Sequence, residues 1–445
     1  MSVGAKGIGQ IAHAAEFLVD PAVGIVQFVK EVEREAGGPN FFHFSARACD
    51  TSAFSRQRNF FDTGGAATTR ERAAAKALGE AIERYSSALY DLDELPLTSF
   101  DRAPFECAEP SSFALFSDAQ YEEPGFLFVP FRRDTTVRWT EMIELGTGRK
   151  LHCPAARVYM PYTYYQGTGD VPIDQPISTG LACHGSRPAA ALSALCEVIE
   201  RDAVSIFWQA RMAPPQIRIE TLDDENYDIS QRFNQTGARL LMFDITLDHG
   251  VPTILSVLLG QAERTPGLVV AAATAPDPVD AVRKSLEELA HSRRYCQYVR
   301  VEMLPLRSEP PRFNEVKDQL THLGFYANHE NVHWADFLFK SNERKDFDQV
   351  ESSVAQGDAS RDLAAVVERV RGVGEQVLVR ELTTPDVGSL GLHVVRCVVP
   401  GFHQIHMGHG TRSLGGSRLW RVPQALGYPG IDRTNGDNLA PHPYP

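Results

Sequence analysis

Two eight-residue segments, ALGEAIER at Ala77–Arg84 and ALCEVIER at Ala194–Arg201, agree at six of their eight positions. Each carries Glu, Glu and Arg at i, i+3 and i+4: Glu80, Glu83 and Arg84 in the first copy, Glu197, Glu200 and Arg201 in the second. On a helix such a trio occupies one face. One copy alone would be explained by exposed ion pairing, worth about 0.3 kcal/mol per pair. Two copies, in segments that otherwise differ, ask for a shared reason, and the chemistry they suit is divalent metal with phosphate. Mg2+ takes oxygen ligands, keeps several waters and is held by a few carboxylates plus substrate phosphates. Several carboxylates flanked by arginine would suit a nucleotide whose phosphates are bridged by more than one metal.

Both motifs are predicted to lie on long helices. The first runs from Arg70 to Tyr90 with Gly79 as its one interruption, and Thr68, three before Glu71, has the spacing of a capping box. The second opens at Ser186 and Pro188 and runs to about Met212, and a third starts after Asp277-Pro278. Between them lie strand-type runs: FLFVPF, CPAARVYMPY, RLLMFDI, TILSVLL, LVVAAAT and LGLHVVRCVVPGF. Interleaved strands and helices predict an α/β or α+β architecture with mixed sheets flanked by long helices, the nucleotide site lying between those helices. Residues 1–58 read as a lead-in and 59–445 as one domain, with a helical insertion at about 300–385. The end, NLAPHPYP, can be neither helix nor interior strand, because alternating Pro removes the donors.

The chain has 445 residues and a formal charge of −13, which argues against nucleic acid or an anionic membrane as a nonspecific partner. No run approaches the roughly 20 apolar residues of a spanning helix, and the N-terminus lacks the apolar core of a signal peptide, so a cytoplasmic protein is expected. Seven scattered cysteines without a CxxC pair predict free thiols. His403, His406 and His409 follow HxxHxxH spacing, but Gly408 and Gly410 interrupt any helix there, so structural or nucleotide-proximal histidines are expected. Asp244 and Asp248 read as turn formers at a strand end.

The helix TTRERAAAKALGEAIERYS, the block VYMPYTYYQGTGDVPIDQPISTGLACHGSRPAAALSALCEVIERDAVSIFW, the helix SLEELAHSRRY and the segment PGFHQIHMGHGTRSLGG together resemble the YcaO family. The resemblance runs from about Phe60 to the C-terminus. It implies a YcaO-type fold that binds Mg·ATP and activates a peptide amide by phosphorylating its oxygen. It further implies that Glu80, Glu83, Glu197 and Glu200 face metal. Nucleotide contacts are implied for Arg84, Arg201, Ser193, Glu288, His291 and Arg293, with Lys76 at a position where family members commonly carry Ser. The family's GKG before the first helix reads Gly65-Ala66-Ala67 here, so its phosphate-side lysine is missing unless Lys76 or Arg70 substitutes. Gly185 and Ala189 stand where some members place Asn and Glu.

Pro441, Pro443 and Pro445 form a PxPxP end that resembles the one in azoline-forming members, where the tail threads into the active site. That makes the Pro445 carboxylate the implied catalytic group. The expected activity is an ATP-dependent cyclodehydratase acting on a ribosomally made precursor peptide. Roughly 50 residues ahead of the family region are too few for a leader-binding domain plus a ubiquitin-activating-enzyme-like (ThiF-like) domain. A separate leader-binding partner is therefore expected, together with homodimerisation and, where the ring is oxidised further, a flavin-dependent dehydrogenase. A thioamide-forming enzyme, an amidine-forming or macrocyclising enzyme, and a non-catalytic scaffold remain alternatives.

Overall fold

A computed structural model of the chain describes residues 3–445 apart from 36, 166, 311–312, 351 and 433–435. Three sheets share the work of positioning the helices. An antiparallel three-stranded sheet runs Val26–Val32, Phe42–Ala48, Asp62–Ala67. A five-stranded sheet has the order Leu268–Thr274, Thr253–Gly260, Ala238–Asp244, Gln216–Ile217, Arg344–Lys345, antiparallel except for its last pair. The six-stranded sheet has the order Leu97–Thr98, Val137–Glu144, Leu378–Glu381, His393–Val398, Leu181–His184, with Lys150–Pro154 also paired to Val137–Glu144.

The first acidic helix is Arg70–Ser87. Its cap is Thr69, whose hydroxyl accepts from the Arg72 amide at 3.4 Å, one residue later than the Thr68 capping box expected from spacing. Thr68 instead directs its own amide to Glu287 at 3.5 Å. The helix buries Ala73, Ala77, Leu78, Ala81 and Ile82, and these small side chains let it sit close on the three-stranded sheet. A Cβ on Gly65 would lie 2.6 Å from the Ala73 carbonyl oxygen, so the strand under the helix needs glycine there.

The second acidic helix, Arg187–Gln209, starts after Ser186 with Pro188 in its first turn and packs between the six-stranded sheet and strand Leu268–Thr274. The third, Pro278–Glu302, is capped by Asp277 through the Val279 amide at 2.9 Å and lies on the five-stranded sheet while touching Asp62–Ala67. Strand Leu181–His184 contacts both acidic helices. The mixed α/β architecture expected from the interleaved pattern is the one observed.

Four stretches differ from expectation, one being CPAARVYMPY, whose strand ends at Pro154 and gives way to a 3-10 turn at Ala155–Arg157. Residues 1–58 carry helix Val3–Leu18 and two of the three strands of the first sheet, and Ile11, Ala14 and Leu18 pack into the same core as Leu78 and Ile82. They are thus woven into the body rather than leading up to it. The stretch at about 300–385 holds helices Gln319–Ala327 and Ala359–Gly372, but also strand Leu378–Glu381 in the middle of the six-stranded sheet. FLFVPF is not a strand: Pro130 withholds a donor, and Phe126 and Phe128 cluster on Phe116 at ring-centroid distances of 4.9 and 5.0 Å. All seven cysteines are free, and no described helix is long and apolar enough to cross a membrane.

Candidate nucleotide and metal site

The two acidic motifs repeat their hydrogen bonding as well as their sequence. In the first, the Gly64 amide donates to Glu80 at 3.3 Å and Arg84 donates to the other Glu80 oxygen at 3.0 Å. In the second, the Gly180 amide donates to Glu197 at 3.1 Å and Arg201 meets the other Glu197 oxygen at 3.2 Å. A glycine amide and the motif's own arginine thus orient the leading glutamate in both copies. Gly180 has φ of +86°, and a Cβ there would sit 2.3 Å from the Cys397 carbonyl oxygen, so no other residue fits that turn.

The second glutamate of each motif differs in its surroundings. Glu83 accepts from the Cys183 amide at 2.7 Å, and burial together with the neighbouring Glu80 and Glu197 charges pushes its carboxyl well above the usual range. Glu200 lies 3.3 Å from Arg201 Nε and accepts the Tyr444 hydroxyl. Burial raises its pKa to about 7, against the opposing effects of Arg201 and Tyr444. Carboxylates from two helices therefore crowd together at a cost that a divalent cation would relieve.

The third helix closes this cluster through Lys76. Its ammonium stands 2.9 Å from Glu288 and 3.1 Å from the fully buried Glu287, which Arg72 also meets at 3.2 Å. Burial pushes Glu288 up, but Lys76, His291 and Arg201 outweigh that and hold it below the usual carboxylate range. His291 lies against strand Asp62–Ala67, where a Cβ on Gly64 would come within 2.7 Å of its ring. Arg293 points elsewhere, its buried guanidinium pairing with the partly exposed Glu35. Ser193, one turn ahead of Glu197, is exposed. Arg70, the other stand-in for the family's lysine, pairs with Glu31 at 2.8 Å.

The tail comes to the same place. Trp208 Nε1 donates to the Ala440 carbonyl at 2.9 Å and the Tyr326 hydroxyl to the Pro441 carbonyl at 2.7 Å. Arg201 Nη1 reaches the Pro445 main-chain oxygen at 3.4 Å, with its guanidinium 4.7 Å from the centre of the Tyr444 ring. His322, His406 and His442 gather here with ring nitrogens within 4.8 Å of one another. Both nitrogens of His322 and both of His442 are nevertheless engaged with backbone atoms, and the two rings stack at 3.9 Å. Parallel rings do not converge on an ion, so this cluster fastens the tail. His403 binds the buried Asp202 at 3.2 Å, and Arg418 joins Asp202 at 2.9 Å to Asp248 at 2.7 Å. Asp248 is thus a buried-network partner rather than a turn former only.

Two cations escaped the sequence reading. Lys284 precedes Glu288 and His291 by one and two turns on the same helix face, acts electrostatically on His184 and Cys196, and has no ion-pair partner among the described residues. Its i, i+4, i+7 spacing was the available signal. Arg396 is buried in the apolar strand His393–Val398 and feels the Glu197 charge. A lone charge within HVVRCV was its signal. Arg84 Nη1 and Arg396 Nη1 are buried without a hydrogen-bond partner among the described residues. Crowded carboxylates, orphaned guanidinium nitrogens and an unpaired lysine fit Mg2+ with a polyphosphate.

The sequence profile described as YcaO cyclodehydratase, ATP- and Mg2+-binding, matches residues 64–403. The chain belongs to the YcaO family. ATP and Mg2+ are accordingly the ligands of its YcaO domain. An uncharacterised protein of Methanothermobacter thermautotrophicus is 28% identical over 346 residues, 76% of this chain and 80% of that one. Among solved structures, a heterocyclase in complex with substrate and cofactor superposes with a TM-score of 0.78 at 20% identity over 98% of this chain. The YcaO protein of Methanopyrus kandleri bound with AMPPCP and Mg2+ gives 0.61 at 19% identity, covering 88% of each chain. At these identities the likeness is one of fold. The chain spans 57% of that heterocyclase's length.

Proposed function

We propose that this YcaO protein is an ATP-dependent cyclodehydratase that forms thiazoline or oxazoline rings in a ribosomally made peptide. The observation that carries the proposal is the docked PxPxP tail, whose Pro445 oxygen lies 3.4 Å from the Arg201 of the second acidic motif. A Cys, Ser or Thr side chain of the substrate attacks the preceding carbonyl, and its oxygen, a very poor leaving group, leaves once phosphorylated. ATP with Mg2+ supplies that phosphoryl group. The chain's own residues have to bind and orient: Glu80, Glu83, Glu197 and Glu200 toward metal, and Arg84, Arg201, Lys284 and Arg396 toward phosphate charge. Lys76, locked between Glu287 and Glu288, acts as a brace between helices, and Lys284 takes the phosphate-side role left open at Gly65-Ala66-Ala67. Ser193, Glu288 and His291 border the nucleotide, and Arg293 supports their helix from behind. The Pro445 carboxylate orients substrate or moves a proton. The substrate's leader is presented by a separate partner protein.

Mass spectrometry of a candidate precursor after incubation with the chain, ATP, Mg2+ and the partner tests this. Loss of one water per modified residue is expected, with fragmentation placing each loss at a Cys, Ser or Thr. Exchange of oxygen for sulfur, or a water loss mapped to a backbone or terminal amine, would overturn ring formation in favour of the thioamide or amidine chemistry.

A further inference from the structure

The tail does more at this site than bring up its last residue. Its backbone carbonyls are held by Trp208, Tyr326 and His322, and its His442 ring meets the His406 carbonyl oxygen, none of these a residue of the acidic motifs. This anchoring leaves Tyr444 no choice of position. Its ring is 3% exposed, one face covered by the Arg201 guanidinium, and its hydroxyl donates to Glu200. Glu80 and Glu197 are each oriented by a glycine amide, and Glu83 by the Cys183 amide. Among the described residues, Glu200 is the one acidic-motif glutamate held by side chains only, Arg201 and Tyr444. A carboxylate on a free helix face samples several rotamers, and a donor from a pinned segment selects one of them.

The geometry points to Tyr444 as a positioning residue of the nucleotide site: its hydroxyl fixes the Glu200 carboxylate, so that the tail forms one wall of the Mg·ATP cradle independently of the Pro445 carboxylate. This rests on the acidic motifs being that cradle. Binding and tail docking are then coupled, and coupling is reciprocal: whatever the tail adds to nucleotide affinity, the nucleotide returns as added protection of the tail.

The full chain with Mg2+ and AMPPCP tests this by equilibrium binding and hydrogen exchange, neither of which needs turnover. Tyr444→Phe keeps the ring over Arg201 and removes the hydroxyl alone. Losing a hydrogen bond to a charged group should weaken Mg·AMPPCP binding about tenfold. Tyr227→Phe removes the hydroxyl of an exposed tyrosine on helix Asp224–Gln231, outside the tail and the acidic helices, and should leave binding unchanged. In the wild-type chain, Mg·AMPPCP should slow exchange of the Tyr444 amide. Unaltered affinity in Tyr444→Phe, equal weakening in both variants, or exchange at Tyr444 that ignores the nucleotide would each overturn the inference. The exchange experiment stands even if a variant fails to fold. Failure of the wild-type chain to bind Mg·AMPPCP at all would instead remove the cradle itself.

Discussion

Lys76 reaches from the first acidic helix to the third and holds Glu288 at 2.9 Å while also meeting the buried Glu287 at 3.1 Å. Removing it leaves Glu287 with Arg72 and the Thr68 amide, and Glu288 without an ion-pair partner among the described residues. Breaking a buried pair from one side is expensive because the other charge stays behind, and the half-exposed setting of Lys76 reduces that cost. Lys76→Met should therefore destabilise the fold by about 2 kcal/mol. Urea unfolding of the two proteins measures it, and an unchanged midpoint would mean that the inter-helix brace is idle.

Glu80 and Glu197 occupy equivalent positions and share a hydrogen-bonding scheme, so their neutral isosteres should behave alike. Glu80→Gln and Glu197→Gln keep shape and lose the charge that a divalent cation needs. Each should lower Mg2+-dependent ATP turnover about a hundredfold, the upper end for disturbed metal sites. Thermal midpoints should hold or rise, because each change relieves repulsion on the buried Glu83. Intact activity of the whole modification complex with either variant would favour the non-catalytic scaffold reading, in which the acidic faces only support neighbouring proteins.

The acidic faces were legible in the sequence because helix periodicity alone decides which side Glu80, Glu83 and Arg84 share. The helix starts were legible too, since Asp277 and Pro188 act locally, although Thr69 rather than Thr68 caps the first. Arg293 shows where that logic stops. It lies five residues past Glu288, a rotation that turns it off the shared face, and its partner Glu35 comes from a segment read as a lead-in. The tail was legible as something other than helix or strand. Its docking was implied by the family resemblance alone, because its anchors Trp208, Tyr326 and His322 are brought to it only by the tertiary fold.

Buried histidines make the fold sensitive to acid. Burial lowers His322 and His249 to about 4 and His43 to about 3, and holds His406 and His442 well below the ordinary value. An unfolded histidine takes up its proton near pH 6.5. The unfolded chain thus binds more protons below that pH, so this contribution is complete above about 6.5 and is lost as pH falls toward the folded values. Glu83 and Glu200 act oppositely, since their raised folded pKa favours the fold as pH drops from about 7. The histidines outnumber them. The urea midpoint of the metal-free chain should fall between pH 7.5 and pH 5, whereas a flat or rising midpoint would mean that these histidines are not buried and neutral.

Gly180 joins a left-handed backbone turn to the proposed metal site in a single residue. Its φ of +86° suits glycine, its amide orients Glu197 at 3.1 Å, and a Cβ would collide with the Cys397 carbonyl oxygen at 2.3 Å. Gly180→Ala must push the turn off strand His393–Val398 or twist it out of its conformation, costing about 3 kcal/mol by the usual penalty for strained backbone. Either movement withdraws the amide from Glu197. The variant should lose stability and Mg2+ affinity together, whereas Gly148→Ala, at a positive-φ turn with nothing within 4 Å, should lose only stability. Magnesium titrations with AMPPCP beside urea unfolding separate the two effects. Equal Mg2+ midpoints in Gly180→Ala and the wild-type chain would show that Glu197 does not depend on that amide.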